Sequence, residues 1–272
     1  MNISQPTLHQ LFAAMGAAGE RISSIEASEG AAGNISLCVN WELYPEAEFT
    51  QRETYTLPEV VPHLAGRTLI VTGSGRRLRD VKRDPHGNLA VVKVHQDGVT
   101  ATLLSSPARL FERITSEFNS HLAVHNDQIG RSGTNFHAVV HAQPLHLTYL
   151  SHLKSHQDTL VLNHKLMRWQ PETIVNLPEG IGVLPFMLPG SSILMQHTVK
   201  ALQQHRIVLW SKHGVMARSD QSVTKVVDRI EYAETAARYE YLDLSSGGQG
   251  EGLTPQELRE IIAVFQVPTT LY

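Results

Sequence analysis

The sequence predicts a single α/β domain in which a mixed, mainly antiparallel sheet is covered by helices. Two observations carry that expectation. Short β-branched runs follow one another in hairpin-like succession. Helical periodicities fall between only some of them, without the strict alternation of a parallel βαβ series. Nothing in the composition marks a linker before Ser245, so residues 1–272 are taken as one domain. That length buries a large core without help from disulfides or a structural metal.

The elements justify themselves in order. PTLHQLFAAMGAAGERI (6–22) is an amphipathic helix. The chain start lacks a cationic head followed by a long apolar run, so no signal peptide is expected. GNISLCV (33–39) alternates as a strand does, and TLIVTGSG (68–75) is an apolar run that ends in glycines. LAVVKVHQDG (89–98) closes on a turn signal, with TATLLS (100–105) as its hairpin partner. SEFNSHLAVHNDQI (116–129) reads as a helix capped by Thr115 or Ser116, with Glu117 in its first turn. FHAVVHA (136–142) is a buried strand, PLHLTYLSHLK (144–154) a helix and TIVNLP (173–178) a strand. SILMQHTVKALQQH (192–205) is helical. RIVLWSKHGVMAR (206–218) joins two apolar runs at His213 and Gly214. SVTKVVDRIEYAETAARYEYLDL (222–244) puts Val223, Val226, Val227, Ile230, Ala233 and Ala237 on one helical face. SSGGQGEG (245–252) is a flexible-looking segment before a last helix, TPQELREIIAVF, which opens with Thr254 and has Glu257 three residues on.

Composition narrows the function. The formal net charge of −3 offers no general attraction to nucleic acid or an anionic membrane. No stretch reaches the roughly 20 apolar residues of a membrane span. The single cysteine, Cys38, has no internal partner, which fits a reducing, cytoplasmic setting. Histidine is abundant, at 15 residues, and imidazole is the commonest metal ligand.

Four stretches could carry chemistry. In VTGSG (71–75), Gly73 and Gly75 free backbone N–H groups for an anion, and Thr72 and Ser74 add hydroxyls. The same stretch also reads as a plain strand exit. Gly33 and Asn34 offer a similar turn, and Arg76, Arg77 and Arg79 either steer a phosphate or form a solvated face. Glu117 is either a dipole-stabilised first-turn carboxylate or a general acid/base, with Thr115 and Ser116 beside it. His141 and Gln143 lie two apart, so they share a face where the strand ends. His137 shares that face but lies about 13 Å back along an extended strand, too far for the same ion. His146 falls in the next helix, as a packing or surface residue. His213, at a break between apolar runs, gains weight as a partner of His141.

Taken together, GNIS, IVTGSG, TSE, VVHAQP, PEGIGVLP and LWSKHGV occur in the order and spacing of the class II aldolase/adducin family, which the chain resembles over nearly its full length. Within that family the long run LIVTGSGRRLRDVKRDPHGNLAVVKVHQDG and the terminal LTPQELREIIAVFQV are similar to the branch acting on L-rhamnulose 1-phosphate. The resemblance implies a helix-flanked, largely antiparallel sheet and a four-fold homotetramer with sites near subunit interfaces. It implies Zn²⁺ held by three histidines, of which His141 and His213 match two. The remaining position is Gln143, a neutral amide and a poorer zinc ligand. Glu117 matches the catalytic acid/base and Glu172 a second active-site carboxylate. Gly33, Asn34, Thr72, Gly73, Ser74, Gly75, Thr115 and Ser116 match the phosphate-binding segments.

Two functions follow from the resemblance. One is a metal-dependent aldolase that cleaves a ketose 1-phosphate to dihydroxyacetone phosphate and an aldehyde. The other is a non-catalytic sugar-phosphate-binding or assembly protein whose metal site has degraded at Gln143.

Overall fold

The protein is described from a computed structural model over residues 5–272, so the first four residues of the expected N-terminal stretch lie outside it. In chain order the elements are α1 (Leu8–Ser24), β1 (Asn34–Val39), β2 (Gln51–Thr56), β3 (Thr68–Thr72), α2 (Pro85–Asn88), β4 (Leu89–Val94), β5 (Thr100–Ser105), α3 (Phe118–Ser132) and β6 (Phe136–Ala142). Then come α4 (Leu145–Leu150), α5 (Thr159–Met167), α6 (Pro171–Asn176), β7 (Gly182–Leu184), α7 (Ser192–Leu202), β8 (Ile207–Trp210), β9 (Gly214–Ser219), α8 (Val223–Ser245) and α9 (Pro255–Phe265).

Among the described residues, nine strands form one sheet in the order β2-β5-β4-β3-β1-β6-β9-β8-β7. Every pairing is antiparallel except β7 with β8. The expected architecture is therefore present. Successive side chains of a strand point to opposite faces, and the core divides accordingly. Ile35, Leu37, Val140, Ala142, Val215 and Ala217 face the larger core under α1 and α8. Cys38, Val139 and Met216 face the other side, with α3 and α7 residues such as Leu122, Val124 and Leu194. Among the described residues, no helix is long and apolar enough to cross a membrane.

Some expectations fail locally. TIVNLP is not a strand: α6 runs through it from Pro171 to Asn176. Proline at the first helical position presets the turn, and burial of Thr173 and Ile174 on one face outweighs their β preference. The helix expected over 144–154 stops at Leu150 and resumes only as a 3₁₀ turn at Lys154–His156. Strands β2 and β7 and helix α5 were not foreseen. β2 carries little apolar pattern because five of its six residues are exposed at the sheet edge. The glycine-rich tail of α8 is tied down: Gly248 N–H donates to the Asp243 carbonyl and Gly250 N–H to the Asp243 carboxylate. The capping box at Thr254 and Glu257 is formed as the sequence implied.

Helix α1 lies very close to the segment that follows β3. A Cβ at Gly19 would sit 2.3 Å from the Leu78 carbonyl oxygen. Leu78 is fully buried, and its own side chain reaches toward Gly33 at the head of β1. We expect Gly19→Ala to lower stability by about 1–3 kcal/mol through overpacking. The check is a urea midpoint that falls with the slope unchanged; a neutral result would mean that α1 shifts without cost.

Candidate active site

Three separate pieces of chain meet beside the ends of β1 and β6. The β1/β6 ladder sets Asn34 opposite His141, Ser36 opposite Val139 and Cys38 opposite His137. The side chains of Asn34, Ser36, His137 and His141 lie on the face covered by α3. Next along the sheet, β8 and β9 close a hairpin by pairing Trp210 with Gly214, which leaves Ser211, Lys212 and His213 as its turn. Lys212 adopts a left-handed conformation there, φ 65°, and its N–H is held by the Ser151 hydroxyl at 2.7 Å. The third piece is Glu117, which opens α3.

Here the structure corrects the capping expectation. Glu117 itself occupies the N-cap position and makes no capping hydrogen bond with its side chain. Thr115 and Ser116 precede the helix; the Thr115 hydroxyl accepts from the Glu117 N–H at 3.4 Å. The Glu117 carboxylate is thereby left to point elsewhere. Its Oε2 lies 3.6 Å from His141 Nε2 and its Oε1 lies 3.7 Å from His213 Nε2. One donor atom from each of Glu117, His141 and His213 falls within 4.8 Å of the others. All three side chains are largely withdrawn from solvent.

The rings are locked in place. His141 Nδ1 donates to the Val215 carbonyl at 2.9 Å, which fixes the ring so that Nε2 faces Glu117. Trp210 stacks on both imidazoles, with centroids 4.9 Å from His141 and 5.2 Å from His213. The indole N–H is in turn held by Thr198 of α7 at 2.9 Å. Gly214 is required by space: a Cβ there would lie 2.4 Å from the Ala142 carbonyl oxygen and 3.1 Å from the His141 ring.

Electrostatics suit a cation. Burial alone would push the Glu117 carboxyl up, but His141, the Asn34 hydrogen bond and His213 outweigh it and hold the carboxyl below the usual range. Burial, reinforced by His141, lowers His213 to about 4, against the pull of Glu117. At neutral pH the group is thus an ionised carboxylate with a neutral imidazole at His213, the forms that bind metal. A hydrogen-bonded outer shell already orients His141. The residues fit a divalent ion, with Glu117, His141 and His213 as its holders.

The cluster lies at the wall of a cavity of ≈ 480 Å³ that Gly33, Asn34, Gly73, Ser74, Gly75, Thr115 and Ser116 also line. Gln143 lines it as well, and it also lines a second hollow shared with Glu26, Arg79 and His152. Several anticipated roles are changed by this geometry. The N–H groups of Gly73 and Ser74 do not converge on the cavity as free donors; the carbonyls of Asn88 and Arg113 accept them at 2.8 Å each. Thr72 is buried outside the cavity lining, and its hydroxyl bonds to the Ile35 backbone. The polar groups left for a phosphate are mainly the hydroxyls of Ser74, Thr115 and Ser116. Arg76 is bound to Asn88 and to the Leu110 carbonyl, while Arg77 is exposed and outside the cavity lining. Glu172 is exposed in the first turn of α6 and does not line the cavity. His137 bonds to His125, away from the cluster, and His146 packs against Glu234.

Residues that the sequence reading passed over are Trp210, Pro189, Gly190 and His121. For His121 a signal existed. Glu117, His121 and His125 recur every four residues and so share one helical face. His121 Nε2 bonds to the Asn34 carbonyl oxygen, and the Asn34 amide donates to Glu117 at 2.8 Å.

Two measurements check this account. Gly214→Ala should displace His141 and His213 and reduce bound divalent metal at least tenfold, while far-UV dichroism stays unchanged; undiminished metal binding would refute the packing argument. The second concerns acid. Burial is the largest cause lowering His121 and His137 to about 3 and His125 well below its ordinary value. Unfolded, each titrates near ~6.5. Between about 6.5 and 3 the unfolded chain therefore takes up protons that the native chain refuses, so stability is full above 6.5 and falls as pH drops through that window. Urea midpoints at pH 7.5, 6 and 5 should decline in that order.

Comparison with known proteins agrees with the geometry. The family model described as "Class II Aldolase and Adducin N-terminal domain" matches residues 13–241. The chain is 34% identical over 230 residues to a rhamnulose-1-phosphate aldolase of Enterobacter sp. (strain 638), covering 83% of this chain and 82% of that protein. It is 29% identical over 216 residues to the rhamnulose-1-phosphate aldolase of Bacteroides thetaiotaomicron, covering 79% of this chain and 78% of that one. Among solved structures, a sugar-phosphate aldolase from Thermotoga maritima superposes with a TM-score of 0.74 at 29% identity, covering 90% of this chain and 99% of the other. The chain belongs to the class II aldolase and adducin family.

Proposed function

We propose that this chain is a divalent-metal-dependent aldolase, an aldehyde-lyase that cleaves a ketose 1-phosphate to dihydroxyacetone phosphate and an aldehyde. L-rhamnulose 1-phosphate or a close analogue is the substrate. The observation that carries the reading is the convergence of Glu117, His141 and His213 at a cavity lined by Ser74, Thr115 and Ser116. The aldolases similar to this chain support the substrate class.

His141, His213 and Glu117 would hold the ion, with Gln143 lining the same cavity. Two imidazoles and a carboxylate suit Zn²⁺, while an amide oxygen moves the preference toward harder ions. When bound, the ion supplies Lewis-acid stabilisation of the negative charge that builds on the substrate as the carbon–carbon bond breaks. The hydroxyls of Ser74, Thr115 and Ser116 orient the phosphate, together with the backbone at Gly33 and Gly75. In the addition direction the Glu117 carboxylate takes the proton from the carbon next to the carbonyl. In cleavage the proton released by the aldehyde-side hydroxyl reaches Glu117 through solvent, and Glu117 passes it to that carbon once the aldehyde has left.

Removal of the proton from the aldehyde-side hydroxyl falls to Glu172. Glu172 is exposed and outside its own chain's cavity, so this role requires a neighbouring copy in the proposed homotetramer to bring it to the site. The buried thiol of Cys38, which burial pushes up to about 12, is unreactive and compatible with a cytoplasmic setting. The non-catalytic alternative is not favoured, since a purely structural descendant has no physical need for an ionised buried carboxylate between two imidazoles.

Elemental analysis beside a coupled assay for dihydroxyacetone phosphate tests the reading. One divalent ion per chain and release of dihydroxyacetone phosphate are expected; a metal-free, inactive chain would overturn it. Glu117→Gln should lower kcat by about 10²–10⁴ with KM little changed. Gln143→His should tighten metal binding, and unchanged affinity would remove residue 143 from the ligand set.

A further inference from the structure

Behind the cavity, a row of polar groups runs into the protein where an apolar core would be expected. Glu117 Oε2 accepts from Asn34 Nδ2 at 2.8 Å, and Asn34 Oδ1 bonds to His121 Nε2. His121 Nδ1 meets the Ser36 hydroxyl at 2.6 Å, and the same hydroxyl meets His125 Nε2 at 2.7 Å. His125 Nδ1 meets His137 Nδ1 at 2.7 Å, in an edge-on ring pair with centroids 4.8 Å apart. Ser36, His121, His125 and His137 have no exposure to solvent. None of the four lines the cavity.

The direction of this row is determined. The Asn34 amide turns its NH₂ to Glu117 Oε2 and its oxygen, which can only accept, to His121 Nε2. His121 Nε2 therefore carries a proton. A neutral imidazole has one N–H, so His121 Nδ1 is bare and accepts from Ser36. The serine has a single proton, now committed, and offers a lone pair to His125 Nε2–H. His125 Nδ1 is then bare and accepts from His137 Nδ1–H. The far end, His137 Nε2, has no partner and is an acceptor. In the opposite sense, Asn34 would set oxygen against oxygen at Glu117, and His137 would bury an unpaired N–H, the costlier orphan.

We propose that Ser36, His121, His125 and His137 are positioning residues that act through Asn34, fixing its amide so that every donor in the row points at Glu117. The carboxylate is thereby held as an acceptor in one rotamer, with Oε2 tethered and Oε1 left for proton transfer. Neighbouring bonds in such a row polarise one another, so the innermost imidazole contributes to the grip at the mouth. The proposal rests on the reading of Glu117 as the acid/base, but the geometry of the row stands without it.

Nitrogen-15 NMR of histidine-labelled full-length protein reads the row directly, with single His→Gln variants for assignment. At neutral pH, His121 and His125 should be protonated on Nε2 alone and His137 on Nδ1 alone. A proton on His137 Nε2, or any of the three doubly protonated, overturns the proposal whether or not the chain is an aldolase. The kinetic arm compares His121→Gln, which keeps an N–H in the Nε2 place, with His121→Leu, which does not. His121→Leu should lose about 10- to 100-fold in kcat with KM little changed, and His121→Gln should recover most of it. Wild-type kcat in a folded His121→Leu protein, or equal losses in both variants, would overturn it. If His121→Leu does not fold, the NMR result on the unaltered protein decides. An inactive wild-type chain with the predicted protonation pattern would sink the aldolase reading and leave the row intact.

Discussion

The antiparallel pairing of β1 with β6 is the constraint on which the site depends. Its register sets Asn34 beside His141 and turns the side chains of both toward α3. Slippage by one residue would send His141 into the large apolar core and bring Val140 to the cavity. Because β9 pairs with the other edge of β6, that register also governs where the β8–β9 turn ends and hence where His213 arrives. Glu117 needs only the correct seating of α3 to join them. His141 and His213, far apart in sequence, thus depend on one ladder of backbone hydrogen bonds.

The ladder is reinforced by close backbone approaches rather than by bulk. Gly33 has φ 86°, and a Cβ there would lie 2.9 Å from the His141 carbonyl. Gly214 meets the Ala142 carbonyl in the same way from the opposite side. Around this tight frame, Trp210 presses on both imidazoles and is itself anchored to α7. The site therefore has little freedom in its ring orientations, as expected where donor atoms must be held for a ligand. The cost of burying so many polar groups is offset because most have a partner, although Ser120 Oγ, Ser211 Oγ, His213 Nδ1 and His137 Nε2 do not.

Much of this was legible in the sequence. Alternation, apolar runs and turn signals located β1, β3, β4, β5 and β6, and the pairing of His141 with His213 and Glu117 followed from family resemblance. What stayed hidden had physical reasons. Strand β2 is nearly all exposed, so no apolar period marks it. Thr173 and Ile174 carry strand propensity, yet packing makes them helical. The glycines at 73 and 75 suggested free amides, but tertiary partners at Asn88 and Arg113 take the neighbouring N–H groups of Gly73 and Ser74. No local pattern gives such partners. Nor does sequence spacing place Glu172 outside the cavity, since that depends on how α6 packs.

One side chain separates two hollows. Gln143 lines the cavity that holds the Glu117, His141 and His213 cluster and also the space bounded by Glu26, Arg79 and His152. An imidazole at that position is a flat, stiff plate, whereas a glutamine is longer, jointed and uncharged. The exchange replaces a fixed bulkhead with a hinged one. Residue 143 thus bounds both spaces at once, so a change in its shape is felt in the two hollows together.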